Sequence, residues 1–375
     1  MSPRVAVSLL FFCNGFAMGS WALQVALAQK RLQADLGEFG VALTGMAIGP
    51  IIAMPLAGAL IGRFGSAAVL RLVTPFLFAT FLLPVLAPTL PLFALALVIF
   101  GAANGAMDVA MNAHGLVVEG RMKQPIMSSL HAVWSVGGLG GAACGALALA
   151  LVAPWQHAFL VAVTMIAGSL AALPSLLPAQ ADRGASGASH FAWPTGATVG
   201  LGMLCFIALM GEGAVLDWAA IHLRDFYHLA DDVAGLGNAV FAGAMAATRF
   251  GGDALRARFG AVAVVRFSAV VAVLGMLAAL LAPSAVLSIF GYGLTGLGIG
   301  NLAPVLFAGG GRREPDNPAR GIAAVTTLGY AGFLAGPPLI GLLARTTGLP
   351  LALGVIVVGM AVIAATAQAA SSADG

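Results

Sequence analysis

Apolar residues run along this chain in blocks of about twenty, and short connecting stretches hold most of the charged side chains. A bilayer core takes about 20 mostly apolar residues per helix. That length predicts twelve spans, at residues 5–28, 40–61, 69–88, 91–117, 127–152, 157–177, 197–221, 233–252, 262–282, 285–308, 320–344 and 350–369. The third and fourth are parted only by Pro84, Pro88 and Pro91, which predicts a tight turn there. An even number of crossings puts both termini on one side. Arg4, Arg63, Arg71, Arg121, Lys123, Arg183, Arg256, Arg258, Arg266, Arg312, Arg313 and Arg320 fall in the N-terminal segment and the even-numbered loops, against Lys30, Arg31, Arg224 and Arg345 on the other side. Basic residues stay cytoplasmic, so both ends are expected inside.

The longest polar stretch, Pro178 to Pro194, divides the predicted spans six and six, and its Ala, Ser and Gly content reads as a flexible cytoplasmic linker. The expected organisation is an N-terminal six-helix half over 1–177, a linker over 178–195 and a C-terminal six-helix half over 196–375. Two regions repeat at one offset. Gly101, Gly105, Gly137 and Gly141 fall on Gly296, Gly300, Gly332 and Gly336, 195 positions later. GALIGRFGSAAVLR at Gly58–Arg71 falls on DALRARFGAVAVVR at Asp253–Arg266 at the same offset. Parallel halves related by an axis along the membrane normal are one plan by which transporters are built.

Composition agrees with hydrocarbon surroundings. Only 8% of the 375 residues are charged, where soluble domains average about 25%. The net charge of +3 sits in scattered loop arginines, not in a patch, which argues against a nucleic-acid partner. Cys13, Cys144 and Cys205 lie inside apolar blocks without metal-ligand spacing, so neither a disulfide framework nor a metal site is expected. No HExxH, GxSxG or CxxC pattern is present, and the Gly-rich run Gly309–Gly321 lacks a phosphate loop's Lys-Ser/Thr ending. The chain is therefore not expected to be an enzyme, to have catalytic residues or to carry a cofactor.

The residues with chemistry are polar groups inside apolar blocks, where charge is costly and usually marks a solute or proton path. Asn104, Asp108 and Asn112 are spaced by four and share one helical face. The second copy has Ala303 at the place of Asp108, so the halves are unequal. Asp108 and Glu212 are the candidates for proton exchange. A packing pair with a neighbouring helix is the competing reading for Asp108. His131 and Trp134 share a face on span five, as solute contacts or as interior residues. Glu212 and Asp217 are five apart on span seven, more than about 100° around the helix from each other. The candidate solute contacts are Asn14, Gln24, Asn104, Asn112, His131, Trp134, Asp217, Asn238 and Asn301. Each uncharged one could equally bond across helices, at about 0.6 kcal/mol on average. Arg249 and Asp253, four apart, are expected to form an ion pair at the inner end of span eight. With Arg63 and Arg258 they make up the candidate gate, although the last two also read as orientation anchors.

The six-plus-six layout and the repeated RFG turn at Arg63–Gly65 and Arg258–Gly260 resemble the major facilitator superfamily over essentially the whole chain. GAMDVAMNAHG and SLHAVWSVGG look like its fucose-permease-like branch, in which an acid on span four takes part in proton coupling and polar residues on span five bind sugar. Asp108 matches that acid, and His131 and Trp134 fall at matching places with different side chains. Gly62 stands near where the family turn usually has an Asp, and Gln24 where related sequences often have a base. The resemblance implies an all-α membrane protein of the bacterial inner membrane, monomeric, working by alternating access around a cavity lined by both halves. Its expected partners are a small, sugar-like polar solute, protons and the lipid bilayer. A proton-driven exporter of metabolites or drugs and a non-transporting ligand sensor are the alternative readings.

Overall fold

The computed structural model describes residues 1–123, 126–178, 195–314 and 318–374. The side chains of Met127, Ser128, Asp232, Asp253, Pro318, Ala319, Arg320 and Asp374 are not among the described ones. Among the described residues there is no strand. The first helices in chain order are α1 (Pro3–Leu32), α2 (Leu36–Leu43), α3 (Gly45–Phe64), α4 (Ser66–Thr80), α5 (Leu82–Leu86), α6 (Leu90–Met122), α7 (Met127–Leu149) and α8 (Pro154–Ala172). They are followed by α9 (Val199–Tyr227), α10 (Asp231–Ala234), α11 (Leu236–Phe259), α12 (Ala261–Leu281), α13 (Ala285–Ile299), α14 (Leu302–Arg313), α15 (Pro318–Thr347) and α16 (Leu349–Ala365).

Among the described residues ten helices or joined helices are long and apolar enough to cross a membrane, and an eleventh is α16 with the 3-10 turn after it. α11 stands outside that set, its C-terminal part carrying Arg249, Asp253, Arg256 and Arg258 in sequence, yet its 24 residues would reach across about 30 Å. The twelve predicted spans are thus approximately matched. Several differ in detail. The second is α2 and α3, interrupted at Thr44. The third is α4 and α5, interrupted at Phe81. The tenth is α13 and α14, interrupted at Gly300 and Asn301. The twelfth ends at Ala365, and the chain bends by 58° into the turn that follows. The linker expected over 178–195 lies, at 179–194, outside the described residues.

By contacts the chain falls into two units: Met1–Gln33 with Ala42–Gly187, and Ala34–Val41 with Ala188–Gly375. In the first, α1 packs along α7, and α3 along α6. Small residues set how close these helices come. A side chain on Gly137 would lie 2.3 Å from the Phe12 carbonyl oxygen, and one on Gly141 2.0 Å from that of Phe16. In membranes, where lipid tails are as apolar as leucine, such close backbone approach drives helix association. The second unit repeats the device between α15 and α9, where Gly332 faces the Phe206 carbonyl. Likewise Gly101 abuts Met46 in one unit and Gly296 abuts Phe241 in the other, again 195 positions on.

The RFG turns are also alike. Gly65 and Gly260 have φ of 83° and 78° with ψ near 155°, a conformation open almost only to glycine. Arg63 lies 5.0 Å from the Phe64 ring centroid and Arg258 5.2 Å from that of Phe259. Each guanidinium covers its neighbour's ring at a helix end, as an interfacial anchor does. Elsewhere Leu72, Phe76, Leu147, Leu281 and Leu351 stand exposed, a surface that suits lipid.

Candidate functional site

In the first unit α1 touches both α6 and α7, and polar side chains meet where it does. Trp134 on α7 donates its indole N–H to Asn14 Oδ1 on α1 at 2.8 Å, and Asn14 Nδ2 donates to Asn104 Oδ1 on α6 at 2.9 Å. Three residues far apart in sequence therefore form one hydrogen-bonded chain across three helices. Asn14 is buried, while Asn104 and Trp134 are half-buried.

One turn beyond Asn104, Asp108 accepts from Asn112 Nδ2 at 3.1 Å, and the same amide reaches the Asp108 carbonyl at 2.8 Å. No basic group pairs with Asp108 among the described residues. Half-buried on a membrane helix without a counter-ion, this carboxylate differs from a structural ion pair. His131 stands exposed, with the Phe11 ring edge-on at 5.4 Å. Gln24 is buried and donates to the Pro154 carbonyl at 3.0 Å and to His157 Nδ1 at 2.9 Å, so its amide ties α1 to α8.

The second unit holds the other charges. Arg249 on α11 reaches Glu212 on α9, with Nη2 3.3 Å from Oε2 and 3.5 Å from Oε1. Its Nε donates to the Gly300 carbonyl at 3.2 Å. Arg249, expected to pair with Asp253, makes this contact between helices. Four-residue spacing put the two on one face, but the long guanidinium reaches a carboxylate on another helix. The Asp253 side chain lies outside the described residues. Asp217 is half-buried and makes no described ion pair. Asn238 donates to the Leu216 carbonyl at 2.7 Å and leaves Oδ1 unmatched. Asn301 is buried at the break between α13 and α14, its side-chain oxygen facing Gly252.

The sequence pattern of the Major Facilitator Superfamily matches residues 7–195, half of the chain. An uncharacterized MFS-type transporter of Yersinia pestis is 36% identical over 98% of this chain and 96% of its own length. The chain belongs to the Major Facilitator Superfamily. It is a multi-pass membrane protein and, as a member of that family, a transporter of a small solute. The membrane protein MosC of Rhizobium meliloti is 32% identical, over 97% of this chain and 88% of its own. The nucleoside transporter NupG shares the fold with a TM-score of 0.80 at 15% identity, covering 99% of both chains. The fucose:proton symporter FucP of E. coli does so with a TM-score of 0.61 at 17% identity, covering 98% of both.

Sequence reasoning missed several groups of this transporter. His114 is buried between Ser66 Oγ, 2.9 Å from Nδ1, and the backbone N–H of Leu177, 3.2 Å from Nε2. Because Nε2 accepts from an amide, the proton belongs on Nδ1, which donates to Ser66. His222 and Tyr292, both buried, meet at 2.9 Å between α9 and α13. Lone histidines and tyrosines in apolar blocks give no sign of their partners. Pro304 does give a sign of the broken tenth span, since a proline inside a span frees the carbonyl four residues earlier.

Proposed function

We propose that this facilitator takes up a small, polar, sugar-like solute across the bacterial inner membrane by proton-coupled alternating access, as a monomer with both termini in the cytoplasm. Asp108 is the proton carrier. The observation that supports this is its lack of a described counter-ion beside a run of neutral hydrogen-bonding groups. An isolated carboxylate on a membrane helix faces a wet passage or takes up a proton, because hydrocarbon does not tolerate the bare charge. Asn14, Asn104, Asn112 and Trp134 supply donors, acceptors and an aromatic face, the groups that suit a hydroxylated ring. His131, Asp217, Asn238 and Asn301 extend the solute path, and Glu212 is the second acid. The likeness of fold to a fucose:proton symporter supports the same reading.

The test is uptake into liposomes of a panel of labelled sugars, polyols and nucleosides, with and without an imposed pH gradient. Wild type accumulates its solute only with the gradient. Asp108→Asn abolishes accumulation yet retains exchange of solute against solute. Accumulation that survives in Asp108→Asn removes this residue from the coupling role.

A further inference from the structure

The tenth span breaks where the fourth does not, although the two are copies. Pro304 has no N–H, so the Gly300 carbonyl lacks its helical donor. An orphaned carbonyl at membrane depth is costly unless another group satisfies it. Here that group is Arg249, whose Nε donates to Gly300 O at 3.2 Å while Nη2 holds Glu212 at 3.3 Å. The neighbouring turn of α11 is shaped to the break. A side chain on Gly300 would meet the Met245 carbonyl at 2.8 Å, and one on Gly252 would meet Asn301 Oδ1 at 2.4 Å.

The first unit supplies an internal control. At the offset of 195, Val109 stands for Pro304, Gly105 for Gly300 and Met54 for Arg249. There α6 runs unbroken from Leu90 to Met122, and Met54 lies 3.3 Å from where a Gly105 side chain would start. Where the helix keeps its own donor, a thioether suffices at this position. Where the carbonyl is orphaned, a guanidinium stands in its place.

We propose that Arg249 is a positioning residue for transport: it caps the broken tenth span at Gly300 and ties that break to the carboxylate of Glu212. This deepens the proposed function, on which its role in transport rests, by giving Glu212 a route to Asn301 and span ten through Arg249. The geometric claim needs no solute. A change at Glu212 alters how firmly Arg249 is held, and Arg249 alters the backbone at 300–304.

Amide hydrogen exchange on the purified full chain in detergent tests it, read on peptides covering 296–306. Glu212→Gln/Arg249→Gln removes both charges together and leaves no unpaired ion. It should speed exchange at the break about tenfold, with α12 unchanged. Adding Pro304→Ala restores an N–H at 304 for Gly300 O and should return exchange to the wild-type level or below. Glu212→Gln alone should give a smaller increase at the same peptides. Exchange within twofold of wild type in the double variant, or no rescue by Pro304→Ala, overturns the proposal. A chain that passes this test but carries no solute in liposomes refutes the transport reading and leaves the capping role standing.

Discussion

Gly141→Ala and Gly138→Ala, three residues apart on α7, are expected to change stability in opposite directions. A Cβ on Gly141 would sit 2.0 Å from the Phe16 carbonyl oxygen of α1, about 1.4 Å short of the 3.4 Å where ordinary contact begins. The obstacle is backbone, so no side-chain rotation relieves it, and the two helices must separate. Overpacking of this kind costs about 1–3 kcal/mol, and separation also thins the dispersion contacts along the seam. Against that, replacing glycine by alanine inside a helix gains about 1 kcal/mol. The net expectation for Gly141→Ala is a loss of up to about 2 kcal/mol. A Cβ on Gly138 meets nothing nearer than 3.6 Å, so there only the gain of up to about 1 kcal/mol remains. The second unit adds a matched pair: Gly332→Ala faces the Phe206 carbonyl at 2.2 Å and should lose more than Gly336→Ala, which meets the Met210 carbonyl at 3.3 Å. Thermal unfolding of purified protein, followed by tryptophan fluorescence, reads the order at roughly 1 °C per kcal/mol for a chain of this length. Equal losses for Gly138→Ala and Gly141→Ala would refute the argument that backbone approach sets this seam.

Two further outcomes follow from the geometry. Gly65→Ala should cost about 1–3 kcal/mol through its backbone conformation, and Gly260→Ala should match it within error in the same unfolding assay, since the two turns are copies. Trp134→Phe should cost about 0.6 kcal/mol and no more than about 1.7, the range for hydrogen bonds between membrane helices. A double-mutant cycle with Asn14→Leu should show coupling of that size, and independent effects would mean that the 2.8 Å contact contributes nothing.

Much of the architecture was legible before any coordinates. The apolar blocks, the offset of 195, the RFG turns and the isolated Asp108 all lie in the order of residues, because each depends on local composition or on a repeat. The membrane helices largely fall where the blocks do. Pro304 also carried the signal of a broken helix, although block length alone read that span as continuous. Spacing groups the candidate polar residues only with neighbours on their own helix. That Asn14, Asn104 and Trp134 bond together depends on α1 lying against both α6 and α7, and helical periodicity cannot say which helix a face meets.

The chain's own order of residues determined that it lives in a bilayer, that it is built twice over, and that one copy kept an acid the other lost. These follow from hydrophobicity and spacing, which act along the chain. Tertiary structure alone decided which partners other helices bring to the charged and polar groups: Glu212 for Arg249 and His157 for Gln24. The reason is reach. A long side chain bonds to whatever another helix brings within about 3 Å of its donors, and distance along the sequence does not measure that.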